Sequence, residues 1–140
     1  MLGRFEPALR MRQDVYSGAL KLMGEESSGT IREASNLVSL LNDLQRYEEA
    51  KALMHKTIPV TRRVLGENQE MTLRMRMHYG RALYGDDAAT LDDLREAVET
   101  LEETKQITQR VLGNAHPVTR LVGEFLEKAR VALGARSASL

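Results

Sequence analysis

Apolar residues recur with helical spacing along most of the chain. Between residues 30 and 44 the residues Ile31, Ala34, Leu37, Val38 and Leu41 form an apolar stripe along one face of a helix. Clusters of β-branched and aromatic residues, which strands favour, are few. The pattern predicts an all-α chain of six helices, at about residues 6–23, 30–44, 47–65, 70–84, 90–112 and 117–133.

A short motif occurs three times and separates these helices. It spans residues 24–30, 66–72 and 113–119, begins with Gly after an apolar pair and ends with Thr, and its glycines are 42 and 47 residues apart. A period in this range marks stacked repeats that bury their apolar faces against one another. Glycine suits the residue after a helix because it adopts a positive φ without a Cβ clash. The motif is therefore interpreted as helix end, loop and helix start. A phosphate-binding loop is disfavoured because no strand precedes it and no Lys-Ser/Thr follows.

The register extends beyond the motif and divides the chain. Ala8 aligns with Ala50 at an offset of 42 residues, and Ala50 aligns with Ala97 at an offset of 47 residues. The second offset is five residues longer, and we expect these five residues to form a loop insertion near 85–89. The chain then reads as an unpaired helix (1–24), a repeat (25–66), a repeat with the insertion (67–113), a terminal helix (114–134) and a frayed tail (135–140).

Three stretches resemble the tetratricopeptide repeat, in particular its 42-residue type found in kinesin light chains. Residues 45–50 read Gln-Arg-Tyr-Glu-Glu-Ala, residues 3–8 read Gly-Arg-Phe-Glu-Pro-Ala, and residues 112–119 read Leu-Gly-Asn-Ala-His-Pro-Val-Thr. In the first two loops Ser27-Ser28 and Gln69-Glu70 replace the His-Pro pair, and residues 92–97 match loosely. The resemblance covers residues 3–133.

The resemblance implies a right-handed superhelix of stacked antiparallel helix pairs, a TPR-like α-solenoid. Its A helices, which line the concave face, would be 30–44, 70–84 and the terminal or capping helix 117–133. The first helix would be a B helix without its A partner. The implied function is a non-catalytic scaffold or adaptor that binds a peptide segment of a partner protein.

Family positions on the concave face transfer to ten residues of this chain. They are Arg32, Ser35, Asn36, Ser39 and Asn42 on one A helix, and Arg74, Met77, His78, Arg81 and Tyr84 on the next. Asn36 would hold a peptide backbone through its paired donor and acceptor. The three arginines would recognise carboxylates, which suggests an acidic or C-terminal peptide. Binding on the loops or elsewhere on the array stays an alternative.

Composition narrows the function classes. The net charge is zero, aromatic content is 4% and cysteine is absent, so nothing indicates nucleic-acid binding, disulfides or thiolate metal sites. We expect no cofactor and no metal, because the three histidines lack ligand spacing and the acids at 86–93 lack that of a calcium loop. An open groove of stacked helices also argues against an enzyme. No membrane span or signal peptide is recognised, and a reducing, cytoplasmic or other intracellular compartment is expected.

Two alternatives to an adaptor remain at this point. The chain could be a fragment of a longer array, or an assembly module that self-associates through its end helices. The residues expected at those ends are Phe5, Leu9, Val15 and Ala19 at one end, and Leu121, Phe125 and Leu126 at the other.

Overall fold

Residues 2–139 fold into six α-helices joined by short loops. The structure, a computed structural model, describes the backbone of residues 2–139 and the side chains of residues 6–139. The helices are α1 (Leu2–Met23), α2 (Ser28–Asp43), α3 (Tyr47–Leu65), α4 (Glu70–Gly85), α5 (Leu91–Val111) and α6 (Pro117–Ala138). No strand occurs within residues 2–139. The predicted all-α fold is confirmed.

The helices form two layers. Each helix packs against the next, and α2 also packs against α4 and α4 against α6. The even-numbered helices therefore lie side by side in one layer, here called the inner layer. The odd-numbered helices α1, α3 and α5 make the outer layer. This alternation is that of an α-solenoid built from helix pairs.

The three glycines of the repeated motif end the outer helices as predicted. Gly24, Gly66 and Gly113 have φ of 83°, 93° and 92°, in the left-handed region that residues with a Cβ avoid. The amide N–H of Gly66 bonds to the Arg62 carbonyl at 2.9 Å, which satisfies one of the last free carbonyls of α3.

The residue before each of the three inner helices caps that helix with its side chain. Ser27, Gln69 and His116 each accept a hydrogen bond from the backbone N–H two residues later, at 3.2, 2.6 and 3.1 Å. Ser and Gln therefore replace the family's His without loss of the capping bond. The departures from the His-Pro pattern are thus conservative in structure.

Two apolar clusters form the core. One joins α2 to α3 through residues that include Val38 and Met54, both fully buried. The other joins α4, α5 and α6, with Leu101 and Val122 fully buried. Tyr79 packs against both clusters, so the core continues along the array.

Two helix ends differ from the prediction. α1 begins at Leu2 and not near Glu6, so Pro7 lies inside the helix and not in its opening turn, and it removes one backbone hydrogen bond there. α6 continues to Ala138 and not to Leu133, so residues 135–138 of the predicted frayed tail are helical. No proline stops this helix, and Ala132, Ala135 and Arg136 lie beside the loop after α4. Leu140 lies outside the described residues.

The predicted end surfaces also need correction. Leu9, Ala19 and Leu126 are only 2%, 8% and 2% exposed, because they pack inside the array. Val15 and Leu121 are exposed as expected, at 43% and 38%. The side chain of Phe5 lies outside the described residues. Phe125, on α6, is half-buried and contacts Arg81 and Tyr84 of α4, as described below.

Candidate partner-binding site

The inner layer presents equivalent rows of residues on its three helices. We call these rows the inner face. The repeat offsets of 42 and 47 relate its members: Arg32, Asn36 and Ser39, followed by Asp43, on α2; Arg74, His78 and Arg81 on α4; Leu121, Phe125 and Lys128 on α6. Spacing of four and three residues keeps each row on one side of its helix.

Arg81 links the inner face across all three helices. Its Nη1 lies 2.9 Å from Oδ1 of Asp43 on α2. Its guanidinium carbon lies 5.5 Å from the ring centroid of Phe125 on α6, a distance that suits a cation–π contact. Because both contacts hold one side chain, Arg81 has a defined position for a partner to meet.

Tyr84 lies beside this contact. Its ring centroid is 6.5 Å from that of Phe125. Burial raises the pKa of the Tyr84 hydroxyl to about 12, so it remains a neutral donor and acceptor at physiological pH.

Arg74 lies at the start of the α4 row and forms part of a chain of polar contacts. Its Nε is 3.2 Å from Oε2 of Glu70, and Oε1 of Glu70 is 3.0 Å from Nε2 of His116. Since Nδ1 of His116 accepts the capping bond from Val118, a neutral His116 carries its proton on Nε2 and donates it to Glu70. The contact ties the start of α6 to α4.

The α2 row of the inner face is open to the surface. The side chain of Arg32 is 63% exposed and lies 3.7 Å from Glu33, and Asn36 and Ser39 are partly exposed. Among the side chains described, those of Asn36 and Ser39 form no hydrogen bond. Their polar groups are therefore presented to the surface.

Two of the predicted site residues are turned into the layer. Asn42 is fully buried, and its Nδ2 donates to the backbone carbonyl of His78 at 3.1 Å. His78 is 8% exposed, and its pKa falls to about 4, chiefly through burial and further through the nearby Arg81 and Arg74. Both residues hold α2 against α4, and neither side chain reaches a partner without rearrangement. Ser35 and Met77 are buried as well, at 6% and 2%.

Sequence reasoning missed four members of the inner face: Asp43, Leu121, Phe125 and Lys128. The register contained the signal, because Arg32 and Asn36 continue at this spacing to Asp43, and the offset of 47 carries Arg74 and His78 onto Leu121 and Phe125. The structure brings two of them, Asp43 and Phe125, into contact with Arg81.

A second concavity, here called the outer groove, lies between α3 and α5 with α4 as its floor. Its volume is about 300 Å³. Its lining residues are Met54, His55, Ile58, Pro59, Arg62, Arg76, Tyr79, Glu96, Thr100 and Glu103.

Arg76 is the unusual member of the outer groove. It is 7% exposed, and its Nη2 lies 3.0 Å from Oε2 of Glu103. The equivalent positions on α2 and α6 carry the small residues Ala34 and Gly123. Beside it, the Tyr79 hydroxyl donates to Glu96 at 3.1 Å, and burial, followed by the charge of Glu96, raises the pKa of Tyr79 to about 12. This groove is charged and was not predicted from the sequence.

Within the described part of the chain, no group of three or more His, Asp or Glu side chains is arranged to hold a metal ion. The described helices also include none that is long and apolar enough to span a bilayer.

The repeat architecture has a direct counterpart among known families. The sequence model of the tetratricopeptide repeat matches residues 34–70 and 80–118, more than half of the chain. The chain belongs to the tetratricopeptide repeat family. Both matches run from an inner helix to the start of the next, which agrees with the register of the repeated motif. No curated protein matches the chain. Tetratricopeptide repeats generally form non-catalytic modules that bind other proteins.

Proposed function

We propose that this tetratricopeptide repeat array is an adaptor of the longer, kinesin-light-chain-like type that binds a peptide segment on its inner face. The spacing of 42 residues between Gly24 and Gly66 supports the longer type. The observation that carries the binding proposal is the set of exposed or partly exposed polar groups on two neighbouring inner helices, Arg32, Asn36 and Ser39 on α2 and Arg74 and Arg81 on α4.

The charge of this face suggests an acidic partner. Arg32, Arg74, Arg81 and Lys128 supply four positive charges. Each arginine already lies beside one carboxylate, of Glu33, Glu70 or Asp43, at 3.7, 3.2 and 2.9 Å, but solvent-exposed pairs of this kind are weak, so a partner's carboxylates can replace them. Arginine binds carboxylates through two parallel hydrogen bonds, and Leu121 with Phe125 adds an apolar contact at the α6 end. A peptide with an acidic residue followed by an apolar one matches this order.

Simultaneous replacement of Asn36→Ala and Arg74→Ala tests the proposal. Both side chains are partly exposed and neither is part of the core, so helical content measured by circular dichroism should not change. Capture of the native partner from cell extract should fall by about tenfold or more, because both changes remove central polar contacts.

Arg62→Ala is the matched control for this experiment. Arg62 is an exposed arginine that pairs with Glu67 at 3.3 Å and lines the outer groove, away from the inner face. Capture should survive this change. If the Asn36/Arg74 variant still captured the partner while Arg62→Ala lost it, the outer groove and not the inner face would be the binding surface.

A further inference from the structure

One side of α1 carries an apolar stripe that no helix of the structure covers. Its members are Met11, Val15, Gly18 and Leu22, spaced by four, three and four residues. Met11, Val15 and Leu22 are 64%, 43% and 88% exposed. An apolar row of this length at helical spacing is the pattern of a helix face that packs against another helix.

Comparison with α3 shows what this face does elsewhere in the array. The offset of 42 places Met11 on Leu53 and Val15 on Thr57. Leu53 packs against the core cluster that contains most of the buried apolar residues of α2. Thr57 is only 9% exposed and, with Ile31 and Ala34 of α2, lines a narrow cavity that Tyr16 of α1 also borders. The stripe of α1 is therefore the face through which an outer helix packs on an inner helix.

The α6 helix at the other end of the array cannot cover the α1 stripe of another copy. The offset of 47 places the buried Leu73, Met77 and Gly80 of α4 onto Arg120, Glu124 and Glu127 of α6, all exposed. Charged residues thus cover the side of α6 that would meet the next helix. Stacking α6 on the α1 stripe of another copy would bury these charges without partners, which is unfavourable.

We propose that the α1 stripe binds the same stripe of a second copy of this chain, so that two arrays pair through antiparallel α1 helices about a two-fold axis. With the axis between Val15 and Gly18, Met11 faces Leu22 of the other copy and Val15 faces Gly18. No atom lies within 4 Å of a Cβ built on Gly18, so the helices can approach closely there.

Charge complementarity favours this partner. Asp14 and Lys21 lie on the same edge of the stripe, seven residues apart, and neither forms an ion pair with another described side chain. In the antiparallel pair, edges of the same kind meet, so Asp14 of each copy lies near Lys21 of the other. Two such pairs form for each dimer, and a two-fold contact closes without further growth.

Sedimentation equilibrium over micromolar to millimolar concentrations tests the proposal. The wild-type chain should show a monomer–dimer equilibrium, weak because a single helix pair buries a small area. Val15→Glu should weaken dimerisation by about tenfold or more by placing two charges at the apolar centre. Val131→Glu, at an exposed valine on α6, is the control and should leave the dimer unchanged.

A charge exchange distinguishes a second copy from any other occupant. Asp14→Lys and Lys21→Glu should each weaken the dimer, whereas the double variant D14K/K21E should restore it, because the pairs re-form with reversed sign. A wild-type chain that stays monomeric at millimolar concentration overturns the proposal and leaves the stripe to a helix of another protein. Assembly beyond dimers, or a double variant as weak as either single one, overturns it too.

Discussion

At the scale of single residues, His78 shows how the inner layer uses a polar side chain. It lies at the centre of the α4 row but is 8% exposed, and its Nδ1 has no hydrogen-bond partner among the described residues. Burial, Arg81 and Arg74 all oppose the protonated form and together bring its pKa to about 4. The array therefore folds around a neutral His78.

The buried His78 should make the free energy of unfolding depend on pH. Because the pKa of His78 is about 4 in the folded chain and about 6.5 when unfolded, the unfolded chain binds more protons between these values. The contribution of His78 to the free energy of unfolding should be fully present above about pH 6.5 and fall by about 2 kcal/mol between pH 7 and pH 5.

Urea titrations of the wild type and His78→Gln at both pH values measure this contribution. The backbone carbonyl that accepts from Asn42 remains in the variant, so the variant should lose about 2 kcal/mol less than the wild type over this range. Equal losses in the two proteins would mean that His78 is protonated without cost, contrary to its burial.

Asn42 and Asp43 show why the exposed residues of the candidate site were predicted only in part. Asn42 and Asp43 are neighbours in sequence but point about 100° apart on the helix, so one fills the α2–α4 contact and the other reaches Arg81. The binding positions transferred from the family included Asn42 but not Asp43. Only the packing of neighbouring helices decides which of two adjacent polar residues is buried.

At the scale of helices, the sequence predicted the bounds of the elements more completely than it predicted the residues of the inner face. The bounds of α3 were predicted without error and those of α4 within one residue, because Gly66 and the caps carry local signals. The end of α6 was missed because Gly134 at the surface does not by itself stop a helix. Contacts between helices leave a weaker sequence signal, as Gly80 illustrates.

Gly80 allows α4 and α5 to approach closely. A Cβ built on it would lie 2.6 Å from Cγ of Leu101, a fully buried side chain. Gly80→Ala should therefore lower the free energy of unfolding by about 1–3 kcal/mol, although alanine has the higher helix propensity.

Gly134→Ala is the matched control in thermal or urea unfolding. Nothing lies within 4 Å of a Cβ at Gly134 in α6, so this change should stabilise by about 1 kcal/mol or less. If Gly80→Ala stabilised to the same extent, the close packing of α4 on α5 would not exist in solution.

At the scale of the whole molecule, stacking of the repeats brings residues of different helices together on shared surfaces. Each inner helix alone contributes a row of three or four residues, polar on α2 and α4 and mostly apolar on α6, and stacking the three helices aligns these rows into the inner face. The same stacking leaves the outer groove between α3 and α5 and the uncovered stripe of α1. The period in the sequence predicted the array, whereas the charge and depth of each surface required the structure.

Site-specific photo-crosslinking tests the central claim, that partners bind the inner face, most directly. A photoreactive residue would be placed at Ser39 on the inner face, at Thr100 in the outer groove, and at Ala52, an exposed position of α3 outside both surfaces. In extract of the native cell, we expect a covalent adduct with a partner protein from position 39, and none from 52 or 100. An adduct from position 100 or 52 with none from position 39 would contradict it.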